Sequence, residues 1–253
     1  MSFHIIIPAR FESTRLPGKP LLDIAGKPMI QHVYERAMEA GAASVTVATD
    51  NLRVEEVVHD FGGNACLTND RHLSGTDRLA EAAQIIGLSD DDLVVNLQGD
   101  EPLMPASLIV GVADVLHDDK KADVATACVL MSDPAQINDP HVVKVVTDRF
   151  GHALYFSRAG IPFFRNAETD EAELEHQVFR HIGLYAYRCG FLAEYTQLEH
   201  CNLEHIEALE QLRVLWHGGK IAVMETTVDP GHGVDTPEDL QRVRILFEGS
   251  SST

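Results

Sequence analysis

Strand and helix patterns alternate from residue 3 to residue 117, and this alternation constrains the fold more than any other feature of the sequence. Short runs rich in β-branched residues, such as FHIIIPA at 3–9, are typical of buried strands. Each run is followed by a segment whose apolar residues recur at helical spacing. Repeated units of this kind make right-handed crossovers, so the sequence predicts an α/β fold with a mostly parallel central sheet and helices on both faces.

The second half of the chain has a different pattern. Three strand-like runs, at 123–131, 141–149 and 152–158, follow one another without long helices between them, and a fourth lies at 181–188. The polar, acidic stretch 166–177 is expected to be an exposed loop. Helices are predicted at 190–199 and 203–218, then a strand at 221–227 and a last helix at 236–248. We therefore expect one domain, 1–253, that contains a mixed or antiparallel subregion at approximately 120–190.

The charge balance limits the possible partners. With 39 Asp and Glu against 20 Lys and Arg, the formal net charge is -19. Binding to nucleic acid or to an anionic membrane surface depends on basic surface, so neither is expected. The sequence shows no signal-peptide pattern, no apolar run near 18 residues and no C-x-x-C spacing among its four cysteines. We expect a cytoplasmic protein with reduced thiols.

A cluster of cations follows the first strand, against this acidic background. Residues 1–30 contain Arg10, Arg15, Lys19 and Lys27 but only two acidic residues. The loop matches neither G-x-x-x-x-G-K-[ST] nor G-x-G-x-x-G, so a kinase-type P-loop and a dinucleotide fingerprint are both missing. Arginine binds phosphate bidentately and lysine acts as a point charge. A triphosphate carries about four charges near neutral pH, and such a loop would match it.

Two acidic residues are candidates for a metal site. Asp100 follows the predicted strand 92–100, and the carboxyl ends of parallel strands form the ligand-binding edge of an open sheet. Mg²⁺ prefers carboxylate and phosphate oxygens, although Asp100 could instead cap a turn next to Gly99. For Asp235 the residues favour a helix cap, because Pro237 suits a first helical position and either Asp235 or Thr236 could precede it.

Several further motifs give the sequence a family resemblance. The stretch IPARFESTRLPGKPLLDIAGKPMI resembles the nucleotide-binding N-terminus of the 3-deoxy-manno-octulosonate (KDO) cytidylyltransferases. SGTDR, NLQGDEP, YFSR, HIGLYAYR, EALEQLR and GVDTPEDL follow in the order of that family. The opening motif is shared more loosely by other sugar-nucleotide synthetases, whereas the full set is specific and spans nearly the whole chain.

The resemblance implies a reaction, a cofactor and an assembly. CMP would be transferred from CTP to KDO with release of diphosphate, in a Mg²⁺-dependent reaction that feeds lipopolysaccharide biosynthesis. It also implies a Rossmann-like fold of the nucleotide-diphospho-sugar transferase type and a cytoplasmic homodimer that pairs through the region 120–190. Such phosphoryl-group chemistry depends on positioning and charge neutralisation, and we predict no covalent intermediate.

The resemblance also implies roles for individual residues. Arg15 and Lys19 would be catalytic together with Asp100 and Asp235, and the two aspartates would be the magnesium ligands. The CTP-binding residues would be Ala9, Arg10, Ser13, Arg15, Lys19, Ser74, Arg78 and Gln98. The SGTDR segment has a second interpretation, in which Ser74 or Thr76 caps a helix.

For the sugar, the resemblance points to the second half of the chain. KDO carries a carboxylate and many hydroxyls, and its candidate partners are Arg158, His181, Tyr185, Glu210 and Gln211. In the predicted helix 204–217 we expect a buried face formed by Ile206, Leu209, Leu212 and Trp216. Glu210 and Gln211 lie beside that face, so a solvated surface is the alternative interpretation for them. A strand-start histidine such as His181 is also commonly structural.

Three other functions remain open from the sequence. A related cytidylyltransferase acting on an 8-amino analogue of KDO or on a sialic acid would have the same nucleotide half. A non-catalytic protein of this fold would bind CTP without releasing diphosphate. A kinase would produce ADP, but the Walker-type loop is missing.

Overall fold

The computed structural model describes residues 1–12, 15–72, 74–165 and 178–250, and within them the chain forms a nine-stranded sheet and a two-stranded hairpin. The predicted loop 166–177 lies outside the described residues. The strands are β1 (His4–Ala9), β2 (Asp23–Ile24), β3 (Lys27–Pro28), β4 (Ser44–Thr49), β5 (Ala65–Leu67), β6 (Leu93–Asn96), β7 (Val124–Leu130), β8 (Lys144–Thr147), β9 (Ala153–Ser157), β10 (Phe179–Arg188) and β11 (Ile221–Thr226).

The large sheet is mostly parallel, as predicted. Its order is β11-β7-β10-β6-β1-β4-β5, and β1 pairs in parallel with both β4 and β6. Only β10 runs against its neighbours in that path, antiparallel to β6 and β7. Strands β8 and β9 form an antiparallel pair that extends from β10. The mixed subregion therefore joins the central sheet directly, and β2 with β3 forms the separate hairpin.

Helices cover both faces of this sheet. They are α1 (Met29–Glu39), α2 (Leu52–Asp60), α3 (Gly75–Ile85), α4 (Ala106–Asp118), α5 (Cys189–Tyr195), α6 (Asn202–Glu207), α7 (Gln211–Trp216) and α8 (Pro237–Ser250). Among the described helices, none combines the length and the apolar character that crossing a bilayer demands.

Strand β1 shows why this sequence requires helices on both sides. Ile5 and Ile7 belong to the apolar cluster that includes residues of α1, α2 and α4, whereas Ile6 belongs to the cluster that includes residues of α3, α5 and α7. All three isoleucines are fully buried. Because alternate side chains of a strand point to opposite faces, a continuous apolar run is stable only when both faces are covered.

The helix predicted at 203–218 is broken, and its predicted buried face is wrong. Ala208 adopts a left-handed conformation, with φ of 50°, between α6 and α7. Leu209 and Leu212 are buried as expected, but Ile206 is 76% exposed and Trp216 is 58% exposed. The break changes the rotation of α7 relative to α6, so the four residues do not share one face.

Candidate active site

Residues 10–19, which carry Arg10, Arg15 and Lys19, directly follow β1, and we call them the basic loop. The Gly18 amide donates to the Phe11 carbonyl at 3.2 Å. Gly18 has a φ of 69°, which favours glycine, and it precedes a 3₁₀ turn formed by Lys19–Leu21. This turn directs Lys19 towards the carboxyl edge of the sheet. Ser13, predicted to bind CTP, lies outside the described residues.

The Lys19 ammonium lies between two carboxylates. Its Nζ donates to Asp100 Oδ2 at 2.6 Å and to Asp235 Oδ1 at 3.1 Å. Arg15 Nη2 donates to the same Asp235 oxygen at 3.1 Å. Two of the predicted cations, Arg15 and Lys19, therefore converge with both predicted carboxylates, although Asp100 and Asp235 are far apart in sequence. The Lys19 side chain is 13% exposed, so its pair with Asp100 is screened less than a surface ion pair.

Close backbone packing places Asp100 at this point. A Cβ on Gly99 would lie 2.8 Å from the Pro8 carbonyl oxygen, so only glycine lets the loop after β6 pass this close to β1. The Asp100 carbonyl then accepts the Val234 amide at 2.9 Å. This bond brings the C-terminal segment alongside the loop after β6.

The structure resolves which residue caps α8. Thr236 and Asp239 form a reciprocal capping arrangement, in which the Asp239 amide donates to Thr236 Oγ1 at 3.2 Å and the Thr236 amide donates to Asp239 Oδ2 at 3.0 Å. The Asp235 carboxylate is therefore not the helix cap and faces Arg15 and Lys19 instead.

A small apolar cluster joins the same segments. Its buried members are Leu16, Ile24, Met29, Val234, Leu240 and Val243. These residues come from the basic loop, from the β2–β3 hairpin, from the start of α1, and from α8 with the segment before it. Because their apolar surface is removed from water together, the cluster holds Arg15 and Lys19 close to Asp235.

A third acidic residue, Glu101, directly follows Asp100, but its carboxyl is mostly protonated at neutral pH. Burial, together with the smaller effect of the charges of Asp100 and Asp235, raises the pKa of its carboxyl to about 8. Glu101 packs against Gly233, where a Cβ would lie 2.8 Å from Glu101 Oε1. Asp100 and Asp235, and not Glu101, are thus the carboxylates that contact Lys19.

The charged groups line a cavity of about 370 Å³, which we call the rim cavity. Ala9, Arg10 and Gln98 line it too, and their contact with CTP stays a prediction. Lys27 does not, because its Nζ donates to Glu35 on α1 at 2.8 Å. The rim cavity is lined by Pro8, Ala9, Arg10, Glu12, Arg15, Lys19, Pro20, Met29, Gly75, Gln98, Gly99, Asp100 and Asp235.

A second cavity, of about 210 Å³, adjoins the rim cavity, and we call it the tyrosine cavity. The two share Gly75 and Gln98. Three predicted sugar-binding residues line it, namely Tyr185, Glu210 and Gln211. The break at Ala208 places Glu210 there, where Thr76 Oγ1 donates to Glu210 Oε2 at 3.1 Å. The alternative of a solvated helix face is wrong for Gln211, which is buried, whereas Glu210 is exposed although it lines the cavity.

Two predicted nucleotide residues lie outside the lining of both cavities. Ser74 is the cap of α3, since its Oγ accepts the Asp77 amide at 3.0 Å, as one interpretation of SGTDR expected. Arg78 is fully buried and donates to Asp50 Oδ2 at 2.7 Å and Thr68 Oγ1 at 2.5 Å. Direct contact of Ser74 or Arg78 with a nucleotide stays a prediction.

Two predicted sugar residues also lie outside both linings. The Arg158 guanidinium donates to the carbonyls of Pro140 at 3.0 Å and Glu207 at 2.8 Å. Arg158 thereby holds the end of α6 near β9 and is not directed into the tyrosine cavity. Burial lowers the pKa of His181 to about 3, and the ring pairs with Thr126 Oγ1 at 2.9 Å. A neutral His181 cannot supply a positive charge for a sugar carboxylate.

Sequence reasoning missed several residues of the tyrosine cavity. Asn96 at the end of β6, Tyr187 on β10 and Tyr195 on α5 all line it. Tyr187 could have been found, because it lies two residues after Tyr185 on one strand and therefore shares its face. The two rings stack with centroids 5.9 Å apart. No sequence pattern indicated that Tyr195 lines the cavity, because its position depends on how α5 packs against the sheet.

Comparison with known proteins agrees with this geometry. The cytidylyltransferase family profile matches residues 4–221. A Vibrio vulnificus (strain CMCP6) protein named 3-deoxy-manno-octulosonate cytidylyltransferase is 54% identical over 252 residues, which cover 99% of this chain and 100% of the relative. The chain belongs to the 3-deoxy-manno-octulosonate cytidylyltransferase family. A Coxiella burnetii (strain RSA 493 / Nine Mile phase I) member is 50% identical over 249 residues, covering 98% of this chain and 100% of the relative.

A solved structure extends the family assignment to the fold. It is described as CMP:2-keto-3-deoxy-manno-octonic acid synthetase complexed with CTP. It superposes on this chain with a TM-score of 0.91 at 46% identity, covering 99% of this chain and 100% of the other. The predicted family and fold class are therefore confirmed.

We predict that His181 makes stability depend on pH. Its folded-state pKa lies below the ordinary value of 6.5, so the unfolded chain binds a proton that the folded protein does not. The stability of the folded state therefore falls as pH decreases from about 6.5 towards 3, by up to about 1.4 kcal/mol per pH unit from this residue. In urea titrations between pH 6.5 and 5, His181→Gln should lose stability less steeply than the unmodified protein.

The matched control is His59→Gln, on the exposed side of α2. An identical pH slope for His181→Gln and the unmodified protein would contradict the assignment of a neutral His181.

Proposed function

We propose that this protein transfers CMP from CTP to 3-deoxy-manno-octulosonate, releases diphosphate and so supplies CMP-KDO for lipopolysaccharide biosynthesis. The observation that carries the proposal is the convergence of Arg15, Lys19, Asp100 and Asp235 in a cavity that adjoins a second, tyrosine-lined cavity. Cytidylyltransfer needs two neighbouring sites, one for a polyanion and one for an acceptor. The names of the relatives support the same activity.

The rim cavity would hold the triphosphate of CTP. Arg10, Arg15 and Lys19 supply positive charge there, and arginine can bind two phosphate oxygens at once. Gln98 lies where the rim cavity adjoins the tyrosine cavity, and Gln98 and the Ala9 backbone are suited to contact the base or ribose. Fixed charges that are already in place stabilise the charge that develops as diphosphate leaves.

Mg²⁺ would be held by Asp100 and Asp235. Both carboxylates already contact one cation, the Lys19 ammonium, so they face a common point where a divalent ion could bind together with phosphate oxygens. The described residues contain no group of three or more acidic, His or Cys side chains that could enclose a metal. Two carboxylates and a bound triphosphate are a donor set that Mg²⁺ commonly uses. When bound, the ion would neutralise charge on the phosphates.

The tyrosine cavity would hold the acid sugar. Gln98 belongs to both linings, so it would lie where the two substrates meet. Tyr185 and Gln211 offer hydrogen bonds to sugar hydroxyls, and Glu210 is held in place by Thr76. The chain's role is to hold the anomeric hydroxyl in line with the α-phosphorus, since alignment supplies much of the rate in such transfers.

We also propose that the protein works as a homodimer in the cytoplasm, where CTP is available. Support for pairing comes from large apolar side chains on the surface of the mixed subregion. Leu154 is 62% exposed, Phe163 is 85% exposed and Leu130 is 37% exposed. Burial of these side chains against a second copy would remove apolar surface from water.

The proposed activity predicts a specific pattern of diphosphate release. Each of the four ribonucleoside triphosphates should be incubated with Mg²⁺ and with KDO, 8-amino-KDO or a sialic acid. CTP with KDO should release diphosphate at least about tenfold faster than any other pair, a discrimination within reach of one or two hydrogen bonds. Faster release with 8-amino-KDO or a sialic acid would show that the protein is a cytidylyltransferase for that sugar. CTP binding without diphosphate release would show that the protein is a non-catalytic CTP-binding protein of this fold.

The magnesium assignment predicts that Asp100→Asn and Asp235→Asn each lower kcat by about 100-fold or more, because each removes a charged ligand at the reacting phosphates. Both variants keep the side-chain shape, so thermal unfolding should remain close to that of the unmodified protein. The decisive readout is the Mg²⁺ concentration needed for half-maximal rate, which should rise. Near-normal rates in both variants would show that the assignment is wrong.

The triphosphate assignment predicts that Lys19→Ala raises the Kd for CTP by about tenfold or more while changing the KM for KDO much less. Loss of one charge-assisted phosphate contact accounts for an effect of this size. Lys27→Ala is the matched control, because Lys27 pairs with Glu35 and does not line the rim cavity. Equal losses for CTP and KDO would indicate collapse of the loop and contradict the assignment.

A further inference from the structure

We propose that Asp50 positions the basic loop for CTP by accepting the Phe11 amide, and that Arg78 makes this possible by neutralising Asp50. The inference rests on the proposed function, because it concerns the geometry of the CTP-binding cations. Asp50 directly follows β4, the strand next to β1 in the sheet. It therefore lies at the same edge as the rim cavity without lining it.

The contacts of Asp50 divide between two partners. Its Oδ1 accepts the Phe11 backbone amide at 3.2 Å, and its Oδ2 accepts Arg78 Nη2 at 2.7 Å. Asp50 is the acceptor that the structure gives for this amide. One carboxylate thus connects a buried guanidinium on α3 to the first residue after Arg10.

The backbone of Phe11 is also hydrogen-bonded to the later part of the basic loop. Its carbonyl accepts the Gly18 amide at 3.2 Å, and its ring is in van der Waals range of a Cβ on Gly18. Gly18 in turn precedes the 3₁₀ turn that begins with Lys19. Phe11 is therefore fixed by hydrogen bonds on both sides of its backbone, to Asp50 and to Gly18. Arg10 lies immediately before this anchor and Lys19 lies immediately beyond it.

Charge explains why Arg78 accompanies Asp50. A lone carboxylate beside a triphosphate site would repel the ligand, and a lone buried guanidinium would be strongly destabilising. Paired with each other, they contribute little net charge near the cavity. Arg78 is completely buried, and burial lowers the pKa of its guanidinium while Asp50 opposes that effect. Its Nε has no hydrogen-bond partner among the described residues, so Asp50 and Thr68 are its polar contacts.

The test compares two double variants that both lack the ion pair. Arg78→Met with Asp50→Asn keeps an oxygen acceptor for the Phe11 amide. Arg78→Met with Asp50→Ala removes it. Neither leaves a buried charge unpaired, and any direct contact of Arg78 with CTP is lost equally in both. Calorimetric titration with CTP in the absence of sugar gives the Kd for each double variant. Hydrogen exchange of peptides that differ by Phe11 gives the exchange rate of the Phe11 amide.

We expect the Ala variant to bind CTP about five- to tenfold more weakly than the Asn variant, as for the loss of one hydrogen bond. The Phe11 amide should exchange faster in the Ala variant, and the KM for KDO should differ less than twofold between the two. Equal CTP affinities, or equal Phe11 exchange, would overturn the inference while the unmodified protein still binds CTP. Failure of the unmodified protein to bind CTP would instead overturn the proposed function.

Discussion

The Lys19 ammonium, placed between the carboxylates of Asp100 and Asp235, is the contact on which the candidate site depends. It joins the loop after β1, the loop after β6 and the segment before α8. An ion pair at this edge would contribute little if its partners were mobile. Here each partner is fixed by its own backbone contacts, so the charges meet without large side-chain rearrangement.

The packing of the fold explains how such distant residues meet. Parallel strands place the loops after β1 and β6 at one edge, and Gly99 allows them to approach closely. Apolar burial around Val234 brings in the segment that carries Asp235. The hydrogen bond from the Val234 amide to the Asp100 carbonyl holds that segment in place. In a chain with a net charge of -19, this arrangement gathers three cations, Arg10, Arg15 and Lys19, beside acidic side chains. That combination suits a polyanion bound together with a metal ion.

The local sequence pattern predicted most of the strands and helices and the main charged residues of the site. The remaining features depend on tertiary contacts that the sequence does not reveal. The continuous apolar run at 3–9, typical of a buried strand, and the position of Asp100 after a strand were readable from the sequence. Whether Asp235 or Thr236 caps α8 was not, because both have suitable side chains and only the contact with Asp239 distinguishes them. The break at Ala208 was also unreadable, since alanine favours helix and the break is stabilised by contacts of Glu207 with Ser157 and Arg158.

A crystal structure with an unreactive CTP analogue and Mg²⁺ would test the central claim most directly. The account predicts that the triphosphate lies in the rim cavity against Arg15 and Lys19, with a metal ion contacting both Asp100 and Asp235. Lys19 would then exchange at least one carboxylate contact for a phosphate oxygen. A triphosphate bound elsewhere, or a metal ion that contacts neither aspartate, would contradict the account.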